Sequence, residues 1–484
     1  MKLNDLLTAV PECRARGPRD VEISGLSLDS RTVREGFLFA ALPGARRDGC
    51  DFVEDAVARG AAAVLAHRDI PNHGRLAVIT ADDSRAALAR IADRYYGSPS
   101  QELSVIGVTG TNGKTTVCYL ARAMLAAAGK KAALFGTVEY LVGGRSIPAE
   151  RTTPEAPALQ AMMREAVREK CDSLVMEVSS HALAQRRVDC VAFNTAVFTN
   201  LGRDHLDYHG DLEAYFRAKA SLFLAPGLQS AVVNVDDPRG RALAAEASAP
   251  VITYGIGTKA ALAARAVETG PRGSRFEMEF RGARTPVALP LLGRHNVYNA
   301  LAAAGAAFAA GLDAGAIAEA LSGASPVPGR LEEVRAGFPC RVFIDYAHTG
   351  EALESVLSAL REGCRGRITV VFGCGGDRDR SKRRPMGRVA ARLADAAIIT
   401  TDNPRLEDPL EIMAEIARGF DGTGKRPVEI RDRREAIAAA LAGAREGDIV
   451  LVAGKGHERT QEVGSTVVPF SDRDVVTGLA GRPE

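Results

Sequence analysis

The stretch Gly110-Thr111-Asn112-Gly113-Lys114-Thr115-Thr116 constrains this chain more than any other. The apolar run Leu103 to Thr109 precedes it, and Val117 to Leu125 follows with apolar residues at helical spacing. Strand, glycine loop and helix form the context that a phosphate-binding loop needs. The glycines let backbone N–H groups turn onto phosphate oxygens, and the new helix presents its positive end to them. In such a loop Lys114 reaches the β/γ-phosphates and the Thr115 hydroxyl ligates Mg²⁺. The usual pattern places a glycine about five residues before Gly113; Val108 stands there, so the match is Gly-x-x-Gly-Lys-Thr. A bare glycine turn capping a buried helix would not call for Lys-Thr-Thr. The chain is expected to bind a nucleoside triphosphate.

A length of 484 residues exceeds a single core and implies several domains. Two breaks divide it. Gly97-Ser98-Pro99-Ser100-Gln101-Glu102 precedes the phosphate loop, and Gly323-Ala324-Ser325-Pro326-Val327-Pro328-Gly329 follows a long alanine-rich region. The expected domains are therefore residues 1–100, 101–328 and 329–484. In the first, strands over 37–42, 61–66 and 76–80 alternate with helices over 51–59 and 84–95. The second repeats strand then helix, from the strand at 132–135 to the one at 231–235, before short strands with Gly, Arg and Pro turns between Ala261 and Leu292 suggest an antiparallel patch. The third alternates again, with strands over 342–346, 368–372, 396–401 and 449–452. This rhythm predicts an α/β fold with mainly parallel sheets carrying helices on both faces.

The net charge of +2 offers no concentrated field for nucleic acid or a membrane surface. The apolar stretch Ala300 to Leu312 is too short to span a bilayer and reads as a buried helix. Met1 to Leu7 is too short and polar for a signal peptide. Eight cysteines without a C-x-x-C pair fit reduced thiols, so a cytoplasmic protein is the expectation; a monomer is expected as well. Only ten of 62 basic residues are lysines. Lysines that persist against such a bias mark positions where a guanidinium cannot substitute; Lys114 is one, and Lys219 and Lys455 are candidates.

Glu177-Val178-Ser179-Ser180-His181 closes the apolar run Ser173 to Met176, at the sheet edge where ligands bind, which makes Glu177 a candidate metal ligand. His205 and His209 in Asp204-His205-Leu206-Asp207-Tyr208-His209-Gly210 have zinc-like spacing. The glutamate expected beside the first histidine is missing and helical periodicity is lacking, so zinc is rejected. Five of eight histidines (181, 205, 209, 348 and 457) fall in motif-like loops rather than on apolar faces.

Together, Gly110 to Thr116, Glu177 to His181, Asp204 to Gly210, Lys219, His295-Asn296-x-x-Asn299-Ala300 and Asp345-Tyr346-Ala347-His348 resemble the Mur ligase family across all three segments. These ATP-dependent ligases add amino acids to the peptidoglycan precursor. The resemblance implies three domains: a smaller N-terminal α/β domain, a central P-loop-type domain and a C-terminal Rossmann-like domain. It implies ATP and Mg²⁺, an acyl-phosphate intermediate, and Lys114, Glu177, His205 and Lys219 as the catalytic set. The metal ligands would be Thr115, Glu177, His205 and Lys219, the last as a carbamate. Only a neutral lysine can react with CO₂, and arginine cannot. Besides the loop residues, Asn299, Arg330 and Asp345 are implied nucleotide contacts.

The resemblance also implies substrates. Asp402-Asn403-Pro404-Arg405 is similar to the signature of members that add meso-diaminopimelate to a UDP-N-acetylmuramoyl-dipeptide. Arg405 offers the planar fork that binds a distal carboxylate which lysine lacks. Arg378, Gly454 and Glu458 match the other amino-acid contacts. Leu28, Ser30, Thr152, Thr153, Ser179, Gln185 and Arg187 match contacts of the UDP substrate. Three departures stand out: Gly350 where proline is frequent, Arg151 where asparagine is frequent, and Ala45, Arg46 and Arg47 in the uridine-side loop. Alone, Asp402 to Arg405 reads equally as an ordinary turn. A lysine-adding relative, a folylpolyglutamate synthase and a non-enzymatic ATP-gated binding protein are the competing readings.

Overall fold

The computed structural model describes residues 1–480 apart from 45–46, 72–73 and 75. Ala45 and Arg46 of the divergent loop thus lie outside the described residues. The chain divides into two compact units. One comprises Met1–Gly107, Lys130–Thr195 and Leu224–Gln229, the other Val108–Gly129, Ala196–Phe223 and Ser230–Glu484.

In the first unit, a five-stranded sheet runs in the order Arg14–Arg16, Ala77–Thr80, Ala63–Ala66, Phe37–Ala41, Gly25–Ser27. Its four inner and far-edge pairings are parallel except the first, which is antiparallel. Strands such as Ala63–Ala66 are buried at every position, as expected when both faces are covered. The helix Ser84–Tyr96 begins where the Asp83 carboxylate accepts from the Ala86 N–H at 3.0 Å and ends on Gly97 at φ +71°. Arg164, from the helix Ala156–Arg168, donates to the Tyr96 carbonyl at 2.8 Å. The strand Ser173–Glu177 pairs in parallel with Ala132–Phe135, and an antiparallel extension through Glu139–Val142 and Arg145–Pro148 turns at Gly143-Gly144, both with positive φ.

In the second unit, Ser230–Asn234, Val251–Gly255 and Leu262–Gly270 are parallel neighbours, and Gly273–Phe280 and Ala283–Leu289 extend them antiparallel, as the turn residues foretold. The alanine-rich stretch forms the helix Arg294–Ala309, whose Ala300 to Ala307 are buried and which packs on the helix Lys114–Ala127. Small side chains allow that close approach. A six-stranded sheet follows in the order Glu332–Val334, Arg341–Asp345, Ile449–Ala453, Ile368–Phe372, Ala396–Ile399, Val428–Glu429, parallel but for its first pairing. Chain order switches direction around Ile449–Ala453, and the carboxyl ends there carry Asp345, Gly373, Asp402 and Gly454. Among the described residues no helix is long and apolar enough to cross a membrane.

Short elements absent from the sequence reading include Leu3–Leu7, Arg14–Arg16, Gly25–Ser27, the Glu139–Pro148 hairpin, Val251–Gly255, Glu332–Val334, Val428–Glu429 and the Thr460–Pro469 hairpin. One reading is corrected. Residues 205–210 were expected to lack helix, yet Leu206–His209 makes a single helical turn with His205 at its N-cap in a left-handed conformation, φ +55°. One turn is too short to show periodicity.

Candidate active site

The phosphate loop is braced from the segment after the strand Thr195–Phe198. Thr199 Oγ1 donates to the Asn112 carbonyl at 2.6 Å, and Asn200 brackets Asn112, accepting from its N–H at 2.9 Å and donating to its carbonyl at 3.1 Å. Gly110 (φ +142°) and Gly113 (φ +89°) hold conformations that favour glycine. A Cβ on Gly110 would strike the Thr199 hydroxyl, and one on Gly113 the Asn299 amide. Lys114 Nζ folds back over the loop, donating to the Gly110 and Thr111 carbonyls at 2.9 Å each. Thr115 and Thr116 are buried at the helix start.

Lys219 lies beneath this loop. It is 1% exposed and donates from Nζ to the Gly110 carbonyl at 2.9 Å, with Nζ 4.3 Å from the centroid of the Tyr215 ring. Burial, reinforced by the Lys114 charge and opposed only by Asp204, pushes its amine far below the ordinary lysine range. The shift favours the uncharged amine, the form of Lys219 that can act as a nucleophile.

Asp204 joins two histidines. His205 Nε2 and His348 Nε2 each lie 3.5 Å from its Oδ2. Burial alone would raise its carboxyl, but the His348 hydrogen bond and the His348, His205 and Lys382 charges hold it well below the carboxylate range. Asp345, buried at its strand end, accepts from the Leu331 N–H at 2.6 Å and the Ala347 N–H at 2.7 Å; burial raises its carboxyl. Arg330 lies over the Tyr346 ring, 4.4 Å from its centroid, and its Nη2 donates to Thr115 Oγ1 at 2.9 Å. Residues 215 positions apart in the chain thus share one hydrogen bond. Gly350 starts the helix Gly350–Gly363, capped by the Thr349 hydroxyl on the Ala352 N–H at 3.2 Å. Proline is favoured at that first position, and glycine preserves the same helix start.

In the first unit, Glu177 is buried and fixed by Thr137, whose N–H donates at 2.8 Å and whose hydroxyl donates at 2.9 Å. A Cβ on Gly136 would sit 2.6 Å from Glu177 Oε1. Thr137 and Thr152 hydroxyls are 3.1 Å apart. Thr153 Oγ1 donates to the Glu177 carbonyl at 2.8 Å and accepts from the Ser179 N–H at 3.0 Å. Arg187, buried, donates to the Thr153 carbonyl at 2.9 Å and to Gln185 Oε1 at 3.1 Å, and pairs with Glu155 at 3.0 Å. Five of the seven expected UDP-substrate residues thus form one network. Leu28 and Ser30 belong to the five-stranded sheet's margin, where Asp29 caps the turn Ser30–Thr32 and Ser30 is buried.

The Asp402 to Arg405 loop is locked to the Gly454 to Glu458 loop. Lys455, fully buried, donates to Asn403 Oδ1 at 3.0 Å and to Glu458 Oε2 at 2.7 Å, while Asn403 Nδ2 donates to the same Glu458 oxygen at 2.9 Å. Gly454 (φ +112°) has no room for a side chain, since a Cβ would lie 2.6 Å from Asp402 Oδ2. Pro404 is buried, and a Cβ on Gly376 would strike its carbonyl. Arg405 is left-handed (φ +51°), with Nε on Glu462 at 2.7 Å and Nη1 on the Gly376 carbonyl at 2.9 Å. Arg378 is exposed, with Nη1 on the Asp377 carbonyl at 3.2 Å.

Several contributors escaped the sequence reading. Thr199 and Asn200, just after the strand Thr195–Phe198, were given no role. Thr137 and Glu462 carried no signal, since each is defined by a partner 40 and 57 residues away. Lys455 was flagged only by lysine scarcity, and like Lys219 it is buried.

The geometry agrees with comparisons to known proteins. Family models match in three parts: the Mur ligase family catalytic domain over residues 22–96, the Mur ligase middle domain over 108–307 and the Mur ligase glutamate ligase domain over 329–456. The UDP-N-acetylmuramoyl-L-alanyl-D-glutamate--2,6-diaminopimelate ligase of Caldanaerobacter subterraneus subsp. tengcongensis is 42% identical over 484 residues, 100% of each chain. That of Streptomyces coelicolor is 47% identical over 465 residues, covering 94% of this chain and 92% of the relative. A solved structure of a ligase of the same name superposes with a TM-score of 0.69 at 34% identity, over 99% of both chains. The Mycobacterium tuberculosis folylpolyglutamate synthase complexed with ADP and AMPPCP shares the fold alone, with a TM-score of 0.62 at 21% identity over 81% of this chain and 94% of that one. With its three-domain α/β architecture, this chain belongs to the Mur ligase family.

Proposed function

We propose that this chain uses ATP to join meso-diaminopimelate to the D-glutamate carboxylate of UDP-N-acetylmuramoyl-L-alanyl-D-glutamate. The observation that carries the reading is Lys219, a buried amine on the Gly110 carbonyl directly under a phosphate-binding loop, where burial favours its uncharged form. A nucleotide switch has no use for it. Relatives of that named activity at 42% and 47% identity support the choice of reaction.

The reaction follows from charge. A substrate carboxylate oxygen attacks the γ-phosphorus and ADP leaves; the uncharged amine of diaminopimelate then attacks the acyl carbonyl, and the tetrahedral intermediate expels phosphate while the nitrogen gives up a proton to solvent. Two anions must approach for the first step, so cations have to offset their repulsion and align in-line transfer. Lys114 supplies one, from the phosphate loop. Arg187 would meet a carboxylate of the dipeptide, and Ser30, with Leu28, the uridine end. Asn299, Arg330 and Asp345 would hold the nucleotide. In this reading residues 1–100 bind the uridine substrate, 101–328 ATP and 329–484 the amino acid, in a cytoplasmic monomer.

Mg²⁺ prefers oxygen donors. The Thr115 hydroxyl and Glu177 carboxylate fit, and His205 is a nitrogen ligand of less usual type. The Lys219 amine does not fit as it stands, but burial favours its uncharged form, which suits addition of CO₂, and the resulting carbamate oxygens would complete the set. Bound by these residues, the ion would neutralise developing charge on the phosphoryl oxygens.

The test is ATP-dependent phosphate release with the UDP-muramoyl-dipeptide and a panel of amines. Release with meso-diaminopimelate and little with lysine is expected. Equal use of lysine would move the chain to the lysine-adding relatives; activity on folate substrates, or ATP binding without turnover under any pairing, would overturn the reading.

A further inference from the structure

Away from the phosphate loop, three side chains of metal-ligating type meet in the N-terminal sheet. The strands Phe37–Ala41 and Ala63–Ala66 are parallel neighbours, so their carboxyl ends emerge side by side. After the first comes the turn Gly49–Phe52, capped by Asp48 and containing Cys50; directly after the second comes His67. The turn is fixed in place. The Gly49 N–H donates to the Leu42 carbonyl at 2.9 Å, and a side chain at Gly49 would meet Leu42 backbone at 2.6 Å. Cys50 Sγ lies 3.8 Å from His67 Nδ1, and His67 Nε2 lies 3.4 Å from Asp48 Oδ2. One donor atom from each residue can be chosen so that all lie within 4.8 Å of one another.

We propose that Asp48, Cys50 and His67 form a binding site for one thiophilic divalent cation of the zinc type, with water as the fourth ligand. The donor set selects the class: thiolate and imidazole suit zinc and its neighbours, whereas Mg²⁺ and Ca²⁺ require oxygen. Zinc bonds of about 2.0–2.3 Å place tetrahedral donors about 3.3–3.8 Å apart; the imidazole serves the ion through one nitrogen, and through Nδ1 the Cys50 Sγ already stands at 3.8 Å, through Nε2 the Asp48 oxygen at 3.4 Å. Cys50 is buried at 9% exposure, while the His67 and Asp48 side chains are partly exposed, so an ion can enter from solvent against a fixed thiol. On binding, the Sγ–H proton leaves to solvent and a metal–thiolate bond forms; no electron moves.

Arg68 is the competitor, with Nε 3.4 Å from Asp48 Oδ2. Its guanidinium is half exposed and also lies 3.8 Å from Asp51, so it can pass to that carboxylate when a cation takes Asp48. The site would pin the turn after the first strand to the end of the second.

The experiment titrates Co²⁺ into the reduced, metal-free full chain and follows the thiolate-to-cobalt charge-transfer band and the visible bands of four-coordinate cobalt. One equivalent should saturate both, Zn²⁺ should bleach them, and excess Mg²⁺ should not. Cys50→Ser should abolish the charge-transfer band, and His67→Gln should weaken Zn²⁺ by about 10–100-fold or more in chelator competition. Arg68→Ala should bind at least as tightly as the parent. Zn²⁺ should also raise the melting temperature of the parent and not of Cys50→Ser. No band in the parent, or a band that survives Cys50→Ser, overturns the proposal. Should Cys50→Ser fail to fold, His67→Gln decides, because unchanged Zn²⁺ affinity in that partly exposed variant is equally fatal.

Discussion

Lys219 Nζ donates to the Gly110 carbonyl at 2.9 Å from a position 1% exposed, beside the Lys114 charge. Neutrality of this amine is costly to the fold and useful to the chemistry. Because burial lowers the affinity of this amine for a proton in the native state alone, the unfolded chain binds the proton more readily, and stability rises with pH up to the ordinary lysine value of 10.5. Lys219→Met keeps the volume and removes the titration. It should be at least as stable as the parent at neutral pH, with a shallower rise of stability towards alkaline pH, and inactive as a ligase. Lys219→Ala should also be nearly inactive, and short-chain carboxylates should partly restore phosphate release by standing in for the carbamate. Full activity in Lys219→Ala would remove the carbamate role.

A second buried charge has a structural part. Arg433 and Asp472 are both fully buried and joined in parallel, Nε to Oδ1 at 2.7 Å and Nη2 to Oδ2 at 2.8 Å, with Nη2 also on the Ala453 carbonyl at 2.9 Å. That last bond ties the pair to the strand end preceding Gly454. Removing one partner strands the other charge in the interior, at a cost of about 3–5 kcal/mol. Asp472→Asn should therefore lower the urea midpoint sharply, and Arg433→Met with Asp472→Leu together should recover much of the loss. A midpoint within error of the parent for Asp472→Asn would contradict this.

Periodicity and glycine placement made the long elements legible. Ala132–Phe135 and Ile368–Phe372 match the expected spans, and the antiparallel patch from Leu262 to Leu289 follows from its turns. Arg14–Arg16 and Gly25–Ser27 were not legible, because three residues carry no pattern and their pairing is supplied by Ala77–Thr80 and Phe37–Ala41. Within the candidate site, motifs named the residues but not their partners. Asp204 was quoted as part of a loop, and its position between His205 and His348 depends on a residue 144 positions later. Glu462 lies in a strand edge whose sequence gives no sign that an arginine 57 residues earlier will meet it. Such pairings are decided when the sheets are assembled.

His295 ties the fold to acid. Burial depresses its imidazole to about 4, at the start of the helix that packs on the phosphate-loop helix. An unfolded histidine takes its proton near the ordinary value of 6.5, so between there and about 4 the unfolded state binds more protons. Stability should fall with decreasing pH across that window, by at most about 1.4 kcal/mol per pH unit from this group. His295→Gln should lose less between pH 7 and 5 than the parent in urea titrations. Equal losses would show that other groups govern the acid limb.

Arg405 should set the choice of amino acid, and Glu462 should aim it. Nε on Glu462 and Nη1 on the Gly376 carbonyl hold the guanidinium from two sides. The left-handed backbone at Arg405, φ +51°, holds that aim, and Glu462 is half exposed, so its pairing is partly screened. Losing a bidentate contact to the distal carboxylate of diaminopimelate should cost about 2–5 kcal/mol, a factor of roughly 30 to several thousand. Arg405→Ala should thus raise the diaminopimelate KM steeply and leave the ATP KM nearly unchanged, while lysine stays a poor substrate because no ammonium pocket is created. Glu462→Gln keeps a hydrogen-bond acceptor and loses a charge worth about 0.2–1 kcal/mol, so the diaminopimelate KM should rise only about 1.4- to fivefold, with kcat and the ATP KM unmoved. A parent-like preference for diaminopimelate over lysine in Arg405→Ala would transfer the role to the exposed Arg378, whose Nη1 rests only on its neighbour's carbonyl and is readily redirected to a ligand.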